Sequence, residues 1–270
     1  MPELPEVETI VRGLARSIVG KTIARVEVRL AKVALASEGV GFERALRGER
    51  IDGASRRGKY AVLELSSGRA LVTSLRMTGR LVVGKRGDPE YPATRAILHF
   101  TDGTHLCFAD VRTFGRMRLV EPGEPWDRDL GVEPLSTGFT QEAFLSMLSG
   151  RTTPAKVFLL DQRHIAGIGN IYACEALWEA RIRPSRPAGA VKKPAAIRLR
   201  RAIVDVLRRA VDLRGTTVDD YVDADGLRGG FQNSLSVYGR GEQRCRRCNG
   251  RIVRTVLAAR GTWWCRQCQR

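Results

Sequence analysis

The chain has 270 residues, with 46 Lys and Arg against 29 Asp and Glu, a formal net charge of +17, and 43% hydrophobic residues. That length buries one large core or two ordinary ones, and the regular apolar patterning excludes a disordered basic tail. No apolar run reaches the roughly 18 residues of a membrane span. The opening Met1-Pro2-Glu3-Leu4-Pro5-Glu6 lacks the basic start and apolar stretch of a signal peptide, so a cytoplasmic location is expected. The basic balance points to a polyanionic partner, nucleic acid ahead of a membrane surface. Residues 226–270 concentrate it, with ten basic residues and one acidic.

In chain order, Val7, Ile10, Val11, Leu14 and Ile18 follow helical spacing over residues 5–18, with Pro5 suited to a first turn. Residues 23–30 then alternate as a strand. A short helix at 41–47 interrupts a series of strand runs at 60–65, 70–76, 81–83, 96–101, 104–108 and 116–120, several bounded by Ser-Gly or Asp-Gly turns. This pattern predicts a β-sandwich or flattened barrel with two helices over 1–130. Pro- and Gly-rich sequence over 121–138 predicts a linker, placed at 131–138. Helical periodicity returns at 140–148, 154–161, 171–180 and 194–213, the last with many Arg residues opposite its apolar side, a face that is most often simply solvated. The predicted fold class is α+β in two domains, with a helical segment at 139–235 and a cysteine-rich module at 236–270.

That module holds Cys245-x-x-Cys248 and Cys265-x-x-Cys268, separated by 16 residues. Two knuckles joined by a β-hairpin offer four thiolates to one tetrahedral ion, so one structural zinc per chain is expected. A closed four-thiolate set leaves no coordination position for a substrate. The accompanying Arg244, Arg246, Arg247, Arg251, Arg254, Arg260 and Arg266 suit phosphate contacts. Cys107 and Cys174 lie in apolar or helical surroundings and read as core residues.

Pro2 follows the initiator Met, which is commonly removed before so small a residue. An exposed α-amino group titrates near pH 8, against roughly 10.4 for lysine, so more of it is free base at neutrality. A secondary amine attacking an aldehyde-level carbon forms an iminium that is cationic without protonation and serves as an electron sink. Glu3 and Glu6 lie alongside as candidate acid–base groups. Taken alone, such an opening is usually only a chain start.

Further segments carry a resemblance. The opening Met1-Pro2-Glu3-Leu4-Pro5-Glu6-Val7-Glu8-Thr9, then Arg56-Arg57-Gly58-Lys59-Tyr60, Met77-Thr78-Gly79, Asp110-Val111-Arg112-Thr113-Phe114-Gly115, Gly167-Ile168-Gly169-Asn170-Ile171-Tyr172, Val237-Tyr238-Gly239-Arg240 and the cysteine module with Arg260 occur in that order. Together they resemble the bacterial formamidopyrimidine-DNA glycosylase family, which acts on 8-oxoguanine. Leu4 resembles this branch, since the related endonuclease VIII branch has Gly there.

The resemblance implies an N-terminal β-sandwich, a helix-two-turn-helix domain and a four-cysteine zinc-finger hairpin, acting as a monomer on damaged double-stranded DNA laid across the cleft between the domains, with no nucleotide cofactor and no membrane. It implies Pro2 as nucleophile at C1′, Glu3 as acid–base partner, and Lys59 reaching the target nucleotide. Glu6 and Lys156 are implied near the active site. Met77, Arg112 and Phe114 match the residues that fill the space left by a flipped nucleotide. Asn170, a helix cap in this reading, Tyr238 and Arg260 match a phosphate clamp. The implied activities are excision of 8-oxoguanine and formamidopyrimidines, then abasic-site lyase cleavage by β- and δ-elimination. Alternatives are an enzyme of the same fold preferring oxidised pyrimidines or hydantoins, and a catalytically silent zinc-containing DNA-binding protein.

Two departures stand out. Relatives often carry His-x-His where this chain has Ala93-Thr94-Arg95, so either Arg95 replaces a phosphate contact or that contact is absent. The lesion-recognition loop reads Leu227-Arg228-Gly229-Gly230-Phe231-Gln232-Asn233, whose glycines predict mobility and recognition through backbone amides.

Overall fold

The computed structural model describes residues 2–36, 41–217 and 227–270. Met1, whose removal the amine chemistry requires, lies outside them. The chain divides into two compact units, one of residues 1–128 and 213–230, the other of residues 129–212 and 231–270.

The first unit opens with helix α1 (Leu4–Ile18), whose buried Val7, Ile10, Val11, Leu14 and Ile18 form the predicted stripe. Strands β1 (Ile23–Val28), β6 (Gly79–Lys85), β7 (Thr94–Phe100) and β8 (Thr104–Asp110) make a four-stranded sheet in the order β1-β7-β8-β6. Strands β2 (Ala34–Leu35), β3 (Ile51–Arg57), β4 (Tyr60–Leu65), β5 (Ala70–Ser74) and β9 (Arg116–Val120) make a five-stranded sheet in the order β2-β9-β5-β4-β3. Their inner faces share one core with α1, including Leu63, Leu71, Leu98, Leu106, Phe108 and Met117. The β-sandwich therefore closes on alternating residues from both sheets. Helix α2 (Phe42–Leu46) buries Phe42 and Leu46.

Strand β3 gives no alternating signal in the sequence because it lies at a sheet edge. Apart from Ile51, its residues are half-buried or exposed, so Asp, Gly, Ser and Arg are tolerated there.

In the second unit, helix α3 (Gln141–Leu148) is capped by the Thr140 hydroxyl, which accepts the Ala143 N–H at 3.1 Å. Helix α4 (Ala155–Leu160) and helix α5 (Asn170–Glu179) flank the turns of the helix-two-turn-helix. Helix α6 (Lys193–Asp212) buries Leu199, Ile203, Val206 and Leu207, with Arg198, Arg201, Arg208 and Arg209 exposed. Strands β10 (Ile252–Leu257) and β11 (Arg260–Cys265) form the finger hairpin. Cys107 and Cys174 are both buried core residues. No helix among the described residues is long and apolar enough to cross a membrane.

Residues 213–230 follow α6 in sequence but belong to the first unit. The N–H of Gly229 donates to Thr217 Oγ1 at 2.9 Å and that of Gly230 to the Leu213 carbonyl at 2.8 Å. A Cβ at Gly229 would stand 2.3 Å from the Gly215 carbonyl oxygen, so only glycine permits this approach. In this structure the amides of the two glycines, expected to read a base, fasten one stretch of backbone to another. Phe231 is buried, its ring centroid 5.8 Å from that of Tyr172.

Candidate functional site

The first cluster stands at the start of α1. Pro2 is buried, and Glu3 and Glu6 are each only 2% exposed, so both carboxylates need fixed donors. They form a capping box, with Glu6 Oε2 accepting the Glu3 N–H at 2.8 Å. The other Glu6 oxygen accepts the Thr216 N–H at 2.7 Å. Glu6 thus fixes the backbone beside Pro2 and links it to residues 213–217, a role invisible in the sequence.

Lys59 lies on the β3–β4 turn. Arg56, with its side chain 9% exposed, ties that turn to α1: its Nε donates to Glu8 Oε2 at 2.9 Å and its Nη1 to the Gly58 carbonyl at 3.0 Å. The motif bearing Lys59 is therefore braced against the helix that begins beside Pro2.

A second cluster joins two loops. Met77 is 46% and Phe114 51% exposed, unusual for large apolar side chains. Arg112 lies between them, its Nη1 donating to Met77 Sδ at 3.1 Å and its guanidinium carbon 4.9 Å from the Phe114 ring centroid. Beneath them, buried Asp110 accepts the Gly115 N–H at 2.7 Å, the Arg112 N–H at 3.2 Å and the Thr78 hydroxyl. Arg95 Nε donates to the Asp110 carbonyl at 2.9 Å. Arg76 (φ 52°) and Thr113 (φ 55°) both occupy the left-handed region, costly for a β-branched residue. Two strained loops thus present an apolar wedge and a guanidinium, suited to entering a base stack. Asp110 is visible in the sequence only as part of a motif; its signal is an acidic residue heading a tight turn that ends in Gly115.

In the second unit, Lys156, Asn170 and Arg260 converge on the finger hairpin. The fully buried Lys156 Nζ donates to the Gly261 carbonyl at 2.9 Å and to Thr262 Oγ1 at 2.7 Å. Asn170 Nδ2 donates to the same carbonyl at 3.1 Å. Helix α5 has Gly169 as its N-cap, so Asn170 is not the expected cap but the first helical residue, and its amide gives one hydrogen bond to the hairpin. Arg260, next to Gly261, is exposed at the hairpin tip, where Ala258 (φ 48°) and Ala259 (φ 58°) make a turn usually reserved for Asn and Gly.

Tyr238 packs its ring 4.5 Å from Trp263, and its N–H donates to Glu175 Oε1 at 2.8 Å. The Ser236 and Val237 N–H groups also donate to the Glu175 carboxyl, at 2.8 and 2.9 Å. Burial pushes the Glu175 carboxyl above its ordinary range, with these three donors offsetting part of the effect.

The four cysteine sulfurs lie within 4.8 Å of one another, with Cys245–Cys268 at 3.8 Å and Cys248–Cys265 at 3.4 Å. Four thiolates about 2.3 Å from a tetrahedral zinc are about 3.8 Å apart, so the set fits one structural ion. Burial raises the Cys245 thiol, but the Arg247 N–H, the Trp178 ring N–H and the Cys248 N–H outweigh it and bring it down to about 6. Burial holds Cys248 and Cys268 above the ordinary thiol range.

Two buried carboxylates at the start of α1, two exposed apolar side chains about an arginine, and a four-cysteine finger on a helix-two-turn-helix define a class of DNA-processing proteins, and comparison with known proteins agrees. Residues 1–117 match the formamidopyrimidine-DNA glycosylase N-terminal domain, 130–222 its H2TH domain, and 242–270 the zinc finger found in FPG and IleRS. The chain is 46% identical to the formamidopyrimidine-DNA glycosylase of Heliobacterium modesticaldum over 277 residues, covering 100% of both chains. It is 43% identical to that of Brevibacillus brevis, covering 100% of this chain and 99% of the relative. A Lactococcus lactis mutant solved with Fapy-dG-containing DNA superposes with a TM-score of 0.93 at 34% identity over 100% of both chains. The Lactococcus lactis protein with abasic-site DNA gives 0.91 at 34% identity over 99% of each. The chain belongs to the formamidopyrimidine-DNA glycosylase family.

Proposed function

We propose that this chain is a bifunctional glycosylase and abasic-site lyase of DNA repair, excising oxidised purines from duplex DNA. The observation that carries this reading is the buried Pro2 beside the Glu3–Glu6 capping box, in a chain of this family over its full length. With Met1 removed, the Pro2 nitrogen lone pair attacks C1′, the glycosidic bond breaks, and the base departs with the bonding pair and takes up the proton that the amine loses. Glu3 delivers a proton to the ring oxygen as the sugar opens, leaving an iminium between Pro2 and C1′. Loss of a C2′ proton to a base expels the 3′ phosphate, and a further proton loss expels the 5′ phosphate. Hydrolysis of the iminium returns the free amine.

Met77 and Phe114 fill the space of the flipped nucleotide, and Arg112 hydrogen-bonds the orphaned base. Lys59, Arg95, Asn170, Tyr238 and Arg260 hold phosphates, with Arg260 and Lys59 nearest the reacting nucleotide. Lys156 acts through the hairpin carbonyl that it shares with Asn170. Zinc, held by Cys245, Cys248, Cys265 and Cys268, supplies a cross-link that keeps the finger folded.

Borohydride trapping tests this reading. A covalent adduct with damaged duplex is expected, and its loss in Pro2→Gly or in material retaining Met1 supports the nucleophile. Bound DNA without an adduct overturns it. A second reading, preference for oxidised pyrimidines, draws on the Lactococcus lactis protein solved with oxidised-pyrimidine-containing DNA, 34% identical with a TM-score of 0.92. In a panel of single-lesion duplexes, failure on 8-oxoguanine opposite cytosine, with pyrimidine lesions removed, would select that reading.

A further inference from the structure

The four-cysteine module and α5 share a buried core of Cys174, Trp178, Val237, Cys245, Ile252 and Cys265. Within it the Trp178 indole Nε1–H donates to Cys245 Sγ at 3.3 Å. The Arg247 guanidinium, from the same knuckle as Cys245, stacks 4.0 Å over the Trp178 ring. Arg247 also donates to the Trp178 carbonyl at 2.8 Å and the Glu179 carbonyl at 3.4 Å, and lies 3.8 Å from the Glu179 carboxylate. Those carbonyls end α5, at the negative end of the helix, where the Arg181 N–H also donates to the Trp178 carbonyl at 3.1 Å and the guanidinium adds a cationic donor.

We infer that Trp178 and Arg247 are positioning residues of the zinc centre: the indole N–H orients and stabilises the Cys245 thiolate, and Arg247 fastens the metal knuckle to the C-terminal end of α5.

Three observations support this. The indole is 8% exposed and its only polar hydrogen points at a ligand sulfur, so the contact is desolvated and not exchanged with water. A thiolate accepts a hydrogen bond more strongly than a thiol, so the bond strengthens when the ligand is in its metal-binding form. Finally, α5 is attached to the finger along its whole length, through Asn170 to Gly261 at its start, Glu175 to residues 236–238 in its middle, and Trp178 and Arg247 at its end. Outer partners of this kind orient ligands and tune metal affinity. The metal knuckle therefore holds one end of the helix whose other end presents Asn170.

The test uses the full-length holoprotein and its cobalt-substituted form. Trp178→Phe keeps an aromatic ring under Arg247, removes the N–H and leaves a smaller ring in the core. It is expected to speed zinc transfer to a chromogenic chelator about tenfold and to move the sulfur-to-cobalt charge-transfer band to lower energy, because an unbonded thiolate is the better donor. Arg247→Lys keeps the charge and loses the stacked fork, so it is expected to speed zinc transfer while leaving the band in place. If Trp178→Phe folds with an unchanged band and a transfer rate within about twofold of the parent, the inference is overturned. The spectral readout separates ligand tuning from loss of packing, which would not shift the band. None of these readouts depends on the reaction at Pro2.

Discussion

Glu6 Oε1 accepts the backbone N–H of Thr216 at 2.7 Å across 210 positions of sequence, while Glu6 Oε2 accepts the N–H of Glu3. One buried carboxylate therefore orders both the chain start and residues 213–217. Glu6→Gln keeps one acceptor and turns an NH2 group against the other N–H. A loss of about 1–3 kcal/mol is expected in chemical denaturation, as for a buried donor left unsatisfied. Excision should slow with it, because the backbone beside Pro2 shifts. An unchanged midpoint would show that these bonds are dispensable.

Asp110 holds Thr78, Arg112 and Gly115, and so the bases of both wedge loops. Asp110→Ala should weaken binding to lesion-containing duplex. Borohydride trapping on single-stranded abasic DNA, which has no stack to fill, should change little. Equal losses on both substrates would assign Asp110 a general structural role.

Arg260 stands exposed at the hairpin tip. Arg260→Ala should weaken binding regardless of lesion and lower the magnitude of the slope of log K against log salt by about one, as for a single lost phosphate contact. An unaltered slope places Arg260 away from DNA.

A side chain at Gly229 collides with the Gly215 carbonyl, since a Cβ there would be 2.3 Å from its oxygen. Gly229→Ala should cost about 1–3 kcal/mol, the usual range for overpacking. Hydrogen exchange should rise at positions 229 and 230, whose N–H groups donate to Thr217 and Leu213 in the parent.

Arg163 brings the Asp161 carboxyl down to about 2, below its ordinary 3.8. A depressed carboxyl stabilises the fold above the ordinary value, and this contribution disappears as pH falls through about 2. Asp161→Asn should flatten the fall in stability between about pH 4 and 2. The effect is small, because Arg163 is 76% exposed and solvent screens the pair.

What the sequence determined by itself is local. The two C-x-x-C knuckles name the zinc ligands because four thiolates need only short loops and one hairpin to meet. The stripe of α1 and the Thr140 cap follow from helical spacing within a few residues, and Pro2 with Glu3 and Glu6 is a single turn of chain. Tertiary structure alone decided the pairings across distance. Met77 meets Arg112 over 35 positions, Lys156 reaches Gly261 over 105, Trp178 reaches Cys245 over 67, and Glu6 reaches Thr216 over 210. Each depends on how sheets and helices pack and which way a side chain leaves its backbone, and periodicity carries no record of either. The same holds for Gly229 and Gly230: nothing in their composition names the carbonyl and hydroxyl of residues 213–217 that accept their N–H groups.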